Sequence, residues 1–221
     1  MVKWNNIDFS NKGIVVEKTP TISKAKKRIE TYTVEGRNGF LSIDRGTYEP
    51  FSVQVQCHAK ENVNFDEIKA FLDGYGTLSF DGVREYTAIV NNAIPFEKVQ
   101  MFKSFAVQFM VNPIAHDITP TTLTINGNFT ITGATAEMKP TLTLVAAAGG
   151  ANVVINGVEF STSNESAATY ILDCENKVIT RNGINASSEM SGEFPYFKNG
   201  TNTYEGTGVT SLNASYKKAY L

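Results

Sequence analysis

The chain has 221 residues, 42% of them hydrophobic, with 20 basic and 22 acidic side chains. That is enough for one large β domain or two small ones with buried cores. The near balance of charge excludes the clustered excess of Lys and Arg carried by a general nucleic-acid binder, and no run approaches the roughly 18 apolar residues of a membrane helix. The opening Met1-Val2-Lys3-Trp4-Asn5-Asn6 lacks the apolar run of a signal peptide. Cys57 and Cys174 are the only cysteines, too few and too distant for a disulfide framework, which agrees with synthesis in a reducing cytoplasm.

In chain order, Ile14 to Glu17 reads as the first strand, stopped by Pro20. Residues 21–32 open with Lys24, Lys26, Lys27 and Arg28. They then alternate Ile29, Thr31 and Thr33 against Glu30, Tyr32 and Val34, a strand whose basic leading end is a solvated face. Residues 33–57 organise what surrounds them. Gly36-Arg37-Asn38-Gly39 forms a turn in which the glycines take positive φ without steric cost. Asp44-Arg45-Gly46 reads as a second turn, and Phe51, Val53, Val55 and Cys57 then alternate with Ser52, Gln54 and Gln56 as a half-buried strand. Gly36, Arg37, Asn38 and Gly39 are the candidate interface residues. The planar donor fork of Arg37 either caps the turn within its own chain or meets a carboxylate on a neighbouring subunit.

The one predicted helix spans about residues 64–73, with Asn64 as N-cap, Asp66 and Glu67 in the first turn, and Phe65, Ile68, Phe71 and Leu72 on one face. Gly74 and Gly76 end it. Strands follow at Thr77 to Phe80, Tyr86 to Val90, Phe96 to Gln100 and Lys103 to Val111, with Asp81-Gly82 as a hairpin turn. The last of these puts Phe105, Val107, Phe109 and Val111 on one face. Residues 1–112 thus read as an α+β domain of many strands and one covering helix.

Residues 112–120, with Pro113 and Pro120 and no periodicity, read as a linker or domain boundary. Residues 113–221 then turn rich in Thr, Ser, Asn, Gly and Ala and carry a net charge of −3, against +1 for residues 1–112. Asn126-Gly127, Asn156-Gly157 and Asn182-Gly183 each sit between β-type runs, a strong hairpin signal. Val209 to Tyr216 is the last strand. Short strands at regular intervals without helical spacing predict a β-sandwich.

Catalytic constellations are not legible. His58 and His116 lack the pattern of a triad, and His116-Asp117 is two ligands without a third. No glycine loop precedes a helix to cradle phosphate. Tyr48, Tyr75, Tyr170, Tyr196 and Tyr204 read as core and turn residues before they read as a sugar platform. The expectation is a protein without enzymatic activity, cofactor or metal.

Several ordered features resemble one family. Ile7-Asp8-Phe9, Gly13-Ile14-Val15-Val16, Val34-Glu35-Gly36-Arg37-Asn38-Gly39 and Asp44-Arg45-Gly46-Thr47-Tyr48 come first. Phe71-Leu72, Gly76-Thr77-Leu78-Ser79-Phe80 and Tyr86-Thr87-Ala88 follow. Their order over about residues 7–112 resembles the ring domain of the distal tail proteins of long-tailed, non-contractile (siphovirus-type) bacteriophages. Lys139-Pro140-Thr141-Leu142-Thr143-Leu144, Asn156-Gly157, Gly192-Glu193-Phe194-Pro195 and Gly200-Thr201-Asn202-Thr203-Tyr204 resemble that family's galectin-like sandwich. The resemblance implies a mainly β chain, with a split-barrel-like ring domain at 1–112 and a peripheral galectin-like β-sandwich at 113–221. It also implies a virion structural protein at the tail tip, made in the host cytoplasm. Its copies form a homohexameric ring around a channel for DNA, with the tail tube protein and the tail-tip protein as partners and receptor-binding or baseplate proteins held by the sandwich. The implied contacts include no membrane and no specific nucleic-acid sequence. From other classes, a carbohydrate-binding module on a cell-wall or adhesion protein stays open as an alternative, and a tail-tube protein as a third.

Overall fold

The structure, a computed structural model, describes residues 1–61, 63–94 and 103–221. The chain divides into two compact units, Met1–Ala115 with Leu221, and His116–Tyr220. The fold is mainly β, with a sheet that curls into a half-barrel.

The first unit opens with a short hairpin, β1 (Lys3–Trp4) and β2 (Ile7–Asp8), absent from the sequence reading. Its two turn residues, Asn5 and Asn6, have φ of 51° and 63°, a region that Asn enters more readily than most side chains. A 3₁₀ turn, Phe9–Lys12, leads to β3 (Ile14–Val16). Then come β4 (Lys27–Tyr32), β5 (Leu41–Tyr48) and β6 (Phe51–Ala59). The helix α1 (Phe65–Phe71), β7 (Tyr75–Ser79), β8 (Arg84–Val90) and β9 (Lys103–Asp117) complete the unit. The strand expected at 96–100 lies outside the described residues.

The sheet has the order β2-β1-β7-β8-β9-β6-β3. The alternating pattern at its centre is what the sequence dictates. β6 and β9 pair antiparallel from Phe51↔Val111 to Ala59↔Lys103, and Val53, Val55, Cys57, Phe105, Val107, Phe109 and Val111 all point into the core. Trp4 is fully buried there, its ring 5.2 Å from that of Phe109. Asn64 caps α1 by accepting from the Asp66 amide at 3.0 Å, and Ile68 and Leu72 bury the helix face against the sheet core. A helix of seven residues depends on that packing rather than on propensity.

Two expectations are corrected here. Asp44-Arg45-Gly46 is not a turn but an irregularity inside β5. The β4–β5 register shifts between Lys27 and Ile29, and Gly46 has φ +69° with its amide held by Asp44 Oδ1 at 2.8 Å. Between these pairs β5 carries two residues more than β4, and a left-handed Gly lets the strand absorb them and continue. Residues 112–117 hold the boundary between the two units, at Ala115/His116, but they are strand rather than a loose linker, because β9 runs on to Asp117. Pro113 is tolerated because pairing with β6 ends at Val111, and no ladder bond to β6 asks for its missing N–H.

The second unit is a β-sandwich. Its strands are β10 (Thr121–Thr124), β11 (Phe129–Ile131), β12 (Thr141–Ala146), β13 (Ala151–Ile155), β14 (Val158–Thr162) and β15 (Ala168–Asp173). They continue with β16 (Val178–Arg181), β17 (Ile184–Asn185), β18 (Met190–Gly192), β19 (Gly200–Asn202), β20 (Tyr204–Thr207), β21 (Val209–Tyr216) and β22 (Ala219–Tyr220). One sheet has the order β10-β21-β12-β15-β16-β17, the other β18-β14-β13-β20, with β11-β19 as a separate pair. Leu142, Leu144, Leu172 and Leu212 of the first sheet and Val153, Ile155 and Phe160 of the second are fully buried. Asn156-Gly157 and Asn182-Gly183 do form hairpins, with φ of 53° and 80°, and 53° and 79°. Asn126-Gly127 does not. Neither residue has positive φ, β10 pairs with β21, and β11 pairs with β19.

Candidate functional site, the exposed arm of strands β4 and β5

Among the described residues, β4 and β5 pair only with each other. Every residue of β4 is exposed, and so is every residue of β5 up to the half-buried Tyr48. The pair forms an arm with no core beneath it. Such a two-stranded hairpin is marginal in water by itself, and here side-chain pairs across the strands hold it. Arg45 grips Glu30 through Nε at 3.0 Å and Nη2 at 2.7 Å, and the Tyr32 hydroxyl donates to the same carboxylate at 2.8 Å. Lys27 pairs with Asp44, and at the root Lys26 lies 3.5 Å from Glu49. These partners hold the Glu30 and Asp44 carboxyls below their ordinary pKa values, the Arg45 and Lys27 hydrogen bonds being the first cause of each.

Large apolar side chains stand exposed along the same arm. They are Ile29, Tyr32, Val34, Leu41, Ile43 and Phe40, the last at 69% exposure. The register places Tyr32 opposite Leu41 and Glu30 opposite Ile43 on one face, and Ile29 opposite Asp44 on the other. Apolar and charged groups therefore share both faces, so neither is a core face nor a plain solvent face.

Gly36, Arg37, Asn38 and Gly39 lie together at the tip. The Arg37 amide donates to the Val34 carbonyl at 3.2 Å, and the glycines adopt φ of +77° and +91°. The Arg37 side chain makes no ion pair or hydrogen bond among the described residues, and residues 33–40 are all exposed. The arm's isolation was missed in the sequence, although a signal for it is present: the alternation at 29–34 and 40–45 never separates apolar from charged residues onto opposite faces.

The remaining candidates do not assemble. Burial pushes the Cys57 and Cys174 thiols up to about 12, which keeps them protonated and weakly nucleophilic at neutral pH. His58 lies 3.6 Å from Glu17, and among the described residues no three His, Cys, Asp or Glu side chains gather as a metal site. No described helix is long and apolar enough to cross a membrane. Tyr48 and Tyr75 belong to the first unit; Tyr170, Tyr196 and Tyr204 belong to the second, where Tyr170 is fully buried and donates to Glu189 at 2.5 Å. A hollow on the outer face of the β10-β21-β12 strands is lined by Thr122, Thr124, Thr143, Asn213 and Ser215, with Leu123 and Ala214 and no aromatic ring.

No protein-family model and no curated protein matches the chain. Solved structures match it in fold. One is the crystal structure of the SPP1 Dit (gp 19.1) protein, described as a paradigm of the hub adsorption apparatus in phages infecting Gram-positive hosts. It is 12% identical, with 100% of this chain and 98% of that one covered at a TM-score of 0.79. Another is the phage p2 baseplate in its activated conformation with Sr, 10% identical, with 96% and 92% covered at a TM-score of 0.56. The likeness is one of fold, and it runs the length of both chains.

Proposed function

We propose that this protein is a non-enzymatic structural hub at the distal end of a phage tail. Six copies form a ring that joins the tail tube to the tip or baseplate proteins and leaves a channel for DNA. The observation that carries this reading is the end-to-end correspondence of the chain with the SPP1 hub protein, covering nearly all of both chains. A shared fold by itself does not fix function. What adds weight is an arm that no single copy covers.

The physical case for self-association rests on that arm. Six large apolar side chains on a hairpin without a core form a surface that a lone subunit leaves in water. Among the described residues, the outer edges of β4 and β5 have no partner strands. A cyclic array repeats one contact between unlike surfaces and leaves no copy unpaired. In this reading, the sandwich unit faces outward as the attachment point for receptor-binding or baseplate proteins, and the mature protein resides in the virion.

Light scattering coupled to size exclusion, followed by negative-stain imaging of the same fractions, tests the proposal. The expected result is a six-fold ring with a central opening, formed by the chain alone or on addition of tail tube protein. A chain that stays monomeric at all concentrations, with and without that partner, overturns it.

A further inference from the structure

The chain contains five Asn-Gly pairs, beginning at residues 38, 126, 156, 182 and 199, and the fold holds them differently. An Asn followed by glycine carries the parts of a reaction within itself. The glycine backbone nitrogen can bond to Cγ of the Asn carboxamide, and a residue without Cβ leaves that approach unhindered. The approach requires the backbone to rotate between Cα and the carbonyl carbon of the Asn. A ladder or hydrogen bond that fixes the turn opposes this rotation.

Four of the pairs are restrained. Asn156-Gly157 and Asn182-Gly183 are two-residue turns closed by the strand pairs Ile155↔Val158 and Arg181↔Ile184, with both residues of each held at positive φ. The Asn156 carboxamide is also fixed at both ends. Its Nδ2 donates to the Tyr196 carbonyl and to Asn202 Oδ1, and its Oδ1 accepts from the Thr203 amide. Asn202 likewise staples Asn199-Gly200, accepting from the Lys198 amide and donating to the Lys198 and Gly200 carbonyls. Asn126-Gly127 lies outside any ladder but is tethered on both sides: the Ile125 amide donates to the Leu212 carbonyl at 2.8 Å, and Asn128 Oδ1 accepts from the Tyr204 amide at 2.9 Å. Asn38-Gly39 has no such restraint. It lies in the arm tip, where residues 33–40 are all exposed and belong to no strand. Among the described residues, neither the Asn38 carboxamide nor the Gly39 amide takes part in a hydrogen bond, and nothing crowds Gly39.

We propose that Asn38 is a self-modification site at the tip of the arm. The Gly39 nitrogen gives its proton to solvent base and bonds to Asn38 Cγ. The Cγ–Nδ2 bond breaks, and Nδ2 takes up a proton and leaves as ammonia, which closes a cyclic imide. Water then adds to either imide carbonyl and opens the ring, to aspartate or to isoaspartate. Water is the only co-reactant, and a single chain suffices. Either product places a carboxylate beside Arg37 and lowers the charge of a segment, residues 21–50, that carries a net +2. Isoaspartate also routes the backbone through the side chain and lengthens the tip. The arm thus changes charge and shape with the age of the chain, while the two cores keep theirs.

Peptide mapping by mass spectrometry of the full chain, aged in mildly alkaline buffer, tests this site. Electron-transfer fragmentation tells isoaspartate from aspartate, and isoaspartate is the signature of the cyclic imide. In the folded chain, conversion at Asn38 runs severalfold ahead of Asn126 and Asn182, and Asn156 and Asn199 stay intact. In the same chain unfolded in urea, all five convert at similar rates, because each is then only an Asn followed by glycine. That convergence assigns the ranking to the fold rather than to neighbouring residues. Conversion at any other pair ahead of Asn38 in the folded chain overturns the proposal. So does an Asn38 that stays intact in the folded chain while it converts in urea, or one that converts without isoaspartate.

Discussion

Buried amides in the sandwich show how much one side chain can hold. Asn202 has no exposed surface, yet every polar atom it carries is satisfied. Its Oδ1 accepts from Asn156 Nδ2 at 2.8 Å and from the Lys198 amide at 2.9 Å, while its Nδ2 donates to the Lys198 and Gly200 carbonyls at 2.9 and 3.1 Å. Asn202→Ala leaves all four partners without it, at a cost of about 2–4 kcal/mol from lost hydrogen bonds and stranded buried groups. Thermal melts should show the sandwich transition lowered by many degrees, and an unchanged transition would mean that water replaces the side chain. Glycines separate in the same way by what surrounds them. At Gly192, φ is +100° and an added Cβ would lie 2.3 Å from the Glu159 carbonyl oxygen; at Gly36, φ is +77° with open space around it. Gly192→Ala must therefore displace backbone and should cost well over the roughly 1–2 kcal/mol of left-handed strain that Gly36→Ala carries alone. Equal losses of stability in denaturant titrations of the two variants would contradict this.

At the scale of the element, the arm is held by charge where the sheets are held by burial. In the folded chain the Glu30 and Asp44 carboxyls lie below their ordinary pKa values of 4.5 and 3.8. Groups with depressed pKa contribute their stability above the unfolded value and lose it as pH falls through the folded one. The arm should therefore keep its order from neutral pH down to about 4.5 and loosen below that, while the two cores persist. Salt should act in the same direction at neutral pH, because all these pairs are exposed and screened. Amide exchange at residues 27–32 and 41–48, followed from pH 7 to 3 and from low to about 1 M salt, checks this. Exchange that follows the β6–β9 strands at every pH would show that the arm has support beyond its ion pairs.

For the whole molecule, the division into two units does not place the weakest point between them. The backbone of residues 103–117 is strand, whereas residues 33–40 are exposed and lack strand pairing. Local opening needs the least free energy where few buried contacts must break. A protease of broad specificity should therefore cut first between residues 33 and 40 in dilute protein, with 103–117 spared. Assembly through the arm should slow that cut. Early cleavage within 112–117 would show that the end of β9 opens more easily than its strand geometry implies.

Where a feature depends on neighbours in the chain, the sequence by itself determined it. The alternation at 51–57 and 105–111 decided which side chains enter the core. Asn64 decided where the helix starts, and Asn-Gly at 156 and 182 decided two hairpins, because each turn and its flanking strands are contiguous in sequence, the longer hairpin running only from Ala151 to Thr162. Alternation names a face and never a partner, so pairing across the fold lay beyond it. Asn126-Gly127 carries the same dipeptide signal, yet β10 is claimed by β21 about ninety residues away, with Thr124 Oγ1 donating to Asn213 Oδ1 at 2.8 Å across that pair. Pro113 reads as a break until the ladder with β6 is seen to stop two residues earlier. The arm is the clearest case. Its residues form strands by local preference, and only the tertiary structure, in which no other described element pairs with them, decides that they stand in solvent with their apolar side chains unspent.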